Sequence, residues 1–77
     1  MTIVRIALAN IAYPASPNDA VTRVCRAVDA AAAAGAAIVC FPECYVPGYR
    51  ALSKSVPAPS EQYLERAWSE IAAAAAA

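Results

Sequence analysis

Two short apolar runs, residues 2–11 and 36–41, flank one amphipathic stretch closed by Gly35, and that order constrains the chain more than any other feature. The first run is nearly continuous in Ile, Val, Leu and Ala and is broken by Arg5. It reads as a strand covered on both faces, the pattern of a parallel sheet. Between the runs, Val21, Val24, Cys25, Val28, Ala31 and Ala32 recur at helical spacing, with Thr22, Arg23, Arg26 and Asp29 opposite them. Ser16 is placed to cap this helix, predicted over residues 19–34. Pro17 fits the first helical position, where its missing N–H costs nothing, and Asp19 sits near the positive end of the dipole. Gly35 can take the left-handed conformation that ends a helix. The second run reads as another buried strand. Strand, helix and strand predict an α/β fold with two parallel strands joined by a right-handed crossover.

Residues 42–60 carry Pro42, Pro47, Gly48, Pro57 and Pro59 and read as a structured loop. Val46-Pro47-Gly48-Tyr49 fits a type II turn, in which proline sets the first central residue and glycine accepts positive φ at the second. Ser60 then caps a second helix whose stripe is Leu64, Ala67, Trp68, Ile71 and Ala75, opposite Glu61, Gln62, Glu65, Arg66, Ser69 and Glu70. Residues 72–77 bring no glycine, no basic last turn and no polar cap. Two parallel strands are not a stable sheet by themselves. The 61% hydrophobic content does not remedy this, because it is inflated by alanine, whose methyl removes little apolar area from water. The expectation is a βαβα portion of a larger domain, interrupted within its second helix.

Several functions are excluded on composition. Six basic and six acidic residues, without a run of one sign, do not suit a nucleic-acid partner, which needs clustered Lys and Arg. Two glycines cannot build a dinucleotide fingerprint or a phosphate loop. Without histidine there is no Ser-His or Cys-His pair within the segment. Cys25, Cys40 and Cys44 fall short of the four ligands a structural zinc takes, so neither a metal nor a cofactor is expected. They read as free thiols, with Cys25 and Cys40 as small core residues. Residues 1–9 lack the layout of a signal peptide, and the uncharged stretch of residues 30–42, which no other exceeds in length, is too short to span a bilayer. A soluble cytoplasmic protein without a membrane partner is expected.

The informative stretch is Ile38-Val39-Cys40-Phe41-Pro42-Glu43-Cys44-Tyr45-Val46-Pro47-Gly48-Tyr49. Glu43 stands just past a buried strand, at the carboxyl end of a parallel sheet, where open α/β sheets place ligands and reacting groups. Shielding by Phe41, Tyr45 and Tyr49 would disfavour its charged form and suit it to general-base work. From position alone, a solvated loop glutamate is the simpler reading.

The Phe41-Pro42-Glu43 element followed by Pro47-Gly48-Tyr49 resembles the nitrilase superfamily of carbon–nitrogen hydrolases. The opening Val4-Arg5-Ile6-Ala7-Leu8-Ala9-Asn10, the helix ending in Ala34-Gly35-Ala36 and the second strand fall in that family's order and spacing. The similarity spans essentially all of the chain but only about the first quarter to third of such a domain. The resemblance implies that residues 1–77 are the N-terminal βαβα portion of a four-layer αββα sandwich. It implies a Glu-Lys-Cys triad with Glu43 as general base and the lysine and cysteine beyond residue 77, so that the segment alone is inactive. It further implies a small-molecule amide, carbamoyl or nitrile substrate, and a homodimer or higher homo-oligomer for the full-length protein.

Cys44 and Lys54 match no catalytic position of the family and are read as structural or surface residues. Tyr49 matches the Gly-Tyr element, either packing behind Glu43 or lining the pocket, with packing preferred. Branches acting on nitriles tend to continue that element with proline and an aromatic. The continuation Arg50-Ala51-Leu52 favours amidase or carbamoylase chemistry instead. Arg50 is read as an exposed loop arginine, with a substrate carboxylate as its other possible partner. The competing reading is a non-catalytic α/β association module using exposed strand edges and helix faces.

Overall fold

A computed structural model describes residues 3–49 and 56–76, which form β1 (Ile6–Leu8), α1 (Pro17–Ala33), β2 (Ile38–Cys40) and α2 (Glu61–Ala76) in that order. Helix α1 starts where local chemistry directs it. The Ser16 hydroxyl accepts from the Asp19 amide at 3.0 Å, and Pro17 occupies the first helical turn. The Asp19 carboxylate reaches back to the Ala15 amide at 2.8 Å and pairs with Arg23 one turn on at 2.6 Å. At the other end Ala34 is the cap and Gly35 takes φ 81. The Gly35 amide donates to Ala32 and the Ala36 amide to Ala31, the two bonds of a Schellman motif.

Strands β1 and β2 pair in parallel, with Ile6 opposite Ile38, Ala7 opposite Val39 and Leu8 opposite Cys40. Bonds from Ala37 to the Arg5 carbonyl and from Ala9 to the Cys40 carbonyl continue the ladder beyond each end. Side chains alternate along a strand, so each strand shows two faces. Val39 packs against the core formed by Ala20, Val24, Val28 and Tyr45. Ile6, Leu8, Ile38 and Cys40 share the other face and are exposed. The expected double covering is therefore not formed among the described residues, and Cys40 is not a core residue. Both helices supply a layer to one side only.

Helix α2 packs along α1. Its Ser60 cap accepts from the Tyr63 amide at 3.0 Å, as expected. The buried stripe, however, is turned by about one residue from the predicted one. Ala67 is buried and Tyr63, Ile71 and Ala74 are half-buried, while Leu64 and Trp68 are 46% and 74% exposed. Tyr63 explains the rotation. Its hydroxyl donates to the Pro17 carbonyl at 2.6 Å, and Arg66 donates to Asn18 at 2.9 Å, so that face of α2 is drawn onto the start of α1. Small Ala67 lets the helices approach.

Candidate active site

Glu43 follows β2 after two residues, Phe41 and Pro42. The chain then reverses, with the Tyr45 amide donating to the Pro42 carbonyl at 3.2 Å and Cys44 at φ 54. Glu43 and Cys44 are the central residues of this turn, whose φ signs are those of a type II turn. The expected turn four residues later is not formed as predicted. There the Val46–Pro47 peptide is cis and Gly48 has φ 144, far from the usual second-position value of a type II turn. Gly48 is buried, and a Cβ there would stand 3.3 Å from Val56.

The turn faces the loop that leaves β1. Together they form a groove of about 80 Å³ at the carboxyl ends of both strands, with Ile11, Tyr13 and Pro14 on one side and Glu43, Tyr45 and Tyr49 on the other. This is the location at which open parallel sheets bind ligands. Glu43 also borders a wider, shallower hollow with Cys44 and Tyr49, about 450 Å³ in volume.

Two tyrosine hydroxyls tie the loops together. Tyr45 is 6% exposed and donates to the Ala12 carbonyl at 2.7 Å, while Tyr13 donates to the Tyr49 carbonyl. Burial pushes the Tyr45 phenol up; the charge of Arg23 acts against this and that of Asp19 with it, both more weakly. Its ring lies 6.2 Å from that of Phe41, tilted by 37°. Tyr45 thus has its ring in the core and its hydroxyl on the opposite loop.

Glu43 itself is exposed, as the simpler reading of its position has it, and the shielding by Phe41, Tyr45 and Tyr49 that would suit it to general-base work is not present among the described residues. The reason is visible in the two neighbours: Tyr45 turns inward to the core, and Tyr49 is 47% exposed at the groove. Cys44 is exposed, and its backbone is left-handed. Cys25 is half-buried between the helices, its thiol 3.8 Å from the Glu70 carbonyl. Burial, then the charges of Glu70 and Asp29, push that thiol up. Arg50 and Lys54 lie outside the described residues.

Among the described residues, no group of three or more His, Cys, Asp or Glu could hold a metal ion. Nor is any helix long and apolar enough to cross a membrane. No family model, curated protein or solved structure matches the chain. The loop-bridging roles of Tyr13 and Tyr45 were not read from the sequence. An aromatic ring with a polar tip two residues after Glu43 was the available signal.

Proposed function

We propose that this chain is the N-terminal part of a carbon–nitrogen hydrolase of the nitrilase type, with Glu43 as general base. The observation that supports the reading is the location of Glu43: on a hydrogen-bonded turn directly past β2, in a groove shared with the loop after β1. The lysine and cysteine that complete the triad belong to chain beyond residue 77, whose approach would also supply the covering that Glu43 lacks.

In amide hydrolysis Glu43 takes the thiol proton, and the thiolate adds to the carbonyl carbon to give a tetrahedral oxyanion that the lysine stabilises. The C–N bond breaks, and the amine leaves with the proton returned by Glu43. Water, deprotonated in turn by Glu43, adds to the thioester; the C–S bond breaks, the departing thiolate takes the proton back from Glu43, and the acid and free enzyme are released. Amides and carbamoyl compounds are preferred to nitriles as the substrate class. A homodimer or higher homo-oligomer is the expected assembly.

The test is Glu43→Gln in the complete domain. Amide hydrolysis should fall at least about a hundredfold, the scale of general-base catalysis, with unfolding unchanged. Activity close to the wild-type level would remove Glu43 from the role.

A second reading has its own supporting observation. The uncovered face of Ile6, Leu8, Ile38 and Cys40, with an unpaired edge on each strand among the described residues, suits an α/β association module. A complete domain without a downstream lysine and cysteine would favour that reading over the enzyme.

A further inference from the structure

We infer that Tyr45 is a positioning residue for Glu43, holding its turn against the loop after β1; this inference rests on the general-base reading. Three observations converge on it. The Tyr45 amide closes the turn that carries Glu43 by bonding to Pro42. Its ring is anchored in the core with Ala20, Val24 and Val28. Its hydroxyl crosses to the Ala12 carbonyl at 2.7 Å, on the loop that forms the other wall of the groove.

Without that hydroxyl the ring would keep its place, but the two walls would lose a direct tie. Tyr13, bonded to the Tyr49 carbonyl, provides a second tie between the loops four residues past the turn. Glu43 is exposed and stands two residues before the nearer of these ties, at Tyr45. Its placement therefore depends on the backbone turn rather than on packing of its own side chain. A general base must lie within hydrogen-bond reach of the proton it takes, and a displacement on the order of 1 Å can cost about a hundredfold in rate.

The experiment compares wild type, Tyr45→Phe and Glu43→Gln in the complete domain. The probe is the fastest-turned-over member of a panel of simple amides, N-carbamoyl amines and nitriles. Tyr45→Phe should lower kcat about tenfold at unchanged KM, because the base is misplaced while the binding surface stays. Amide hydrogen exchange at Tyr45 should quicken in the same variant, reporting the loosened turn. Thermal unfolding is measured alongside, so that a loss of folded protein is told apart from a loss of rate.

Wild-type kcat in Tyr45→Phe, with Glu43→Gln inactive, overturns the positioning role and leaves the base reading standing. A rise in KM at unchanged kcat would make Tyr45 a binding residue and likewise overturn it. Full activity of Glu43→Gln, or no turnover of any panel member by wild type, overturns the base reading, and the positioning role falls with it.

Discussion

The Arg5 guanidinium donates to the Ala34 carbonyl at 2.7 Å, which places the one charge of the first apolar run at the C-terminal end of α1. The last turn of that helix has no basic residue of its own. Arg5 supplies the positive charge the dipole favours there, from a different element of the fold. Gly35 makes the approach feasible: it has φ 81, and a Cβ on it would stand 3.0 Å from the guanidinium. Gly35→Ala should therefore cost on the order of 1–2 kcal/mol for the left-handed backbone, plus the displacement of Arg5. Arg5→Ala alone should cost about 1 kcal/mol. Combined, the two should cost less than their sum, because the displaced contact is already gone. Urea unfolding of the four proteins checks this, and strict additivity would mean that the two groups do not meet.

Asp19 makes stability depend on acid. The Ala15 amide, and after it Arg23, holds its carboxyl below the ordinary value of 3.8. The folded chain therefore binds this proton less tightly than the unfolded chain does. The stabilisation is present above the ordinary carboxyl range and is lost as the pH falls through the lowered native value. Asp19→Asn should remove this contribution, so its unfolding midpoint should drop less between pH 6 and pH 2.5 than that of wild type. Parallel pH profiles for the two proteins would exclude Asp19 as a source of the acid sensitivity.

What could be read from the residues in order was the local chemistry. Ser16 and Ser60 cap because their hydroxyls meet amides three residues on, and Gly35 ends α1 because its backbone can turn left-handed. Such features need no knowledge of what lies opposite. The position of Glu43 just past the second strand was legible for the same reason, since it follows from where an apolar run stops. Tertiary contacts were less so. Leu64 and Trp68 scored as core on periodicity, yet the Tyr63 hydroxyl bond to Pro17 turned another face inward. Cys40 looked buried because it stands in an apolar run. The decisive facts were which strand face the helices cover and which way Tyr45 points, and neither has a signature in hydrophobic period.

The open sheet face offers a test of the larger-domain reading. Leu8 is 79% exposed and lies beside Ile6 and Ile38 on that face. If a second sheet covers it in the complete domain, Leu8→Ala should cost roughly 2–5 kcal/mol, the usual range for a core leucine. A surface position would lose no more than about 0.5 kcal/mol. The four-layer sandwich requires the larger loss, measured by urea unfolding of the complete domain. The smaller one would count against a covering sheet and in favour of an exchangeable partner at that face.

The three thiols should react at different rates. Alkylation proceeds through the thiolate, so it is slowed both by limited access and by a raised pKa. Cys25 carries both handicaps: it is half-buried between α1 and α2, and burial together with Glu70 and Asp29 disfavours its charged form. Cys40 and Cys44 are exposed. With limiting iodoacetamide at pH 8 acting on residues 1–77 alone, where that sheet face is open, peptide mass spectrometry should find Cys40 and Cys44 modified before Cys25. Mild denaturant should close the gap by separating the helices. Modification of Cys25 first under native conditions would show that α2 does not hold its place against α1, and with it the contact between Tyr63 and Pro17 would be in question.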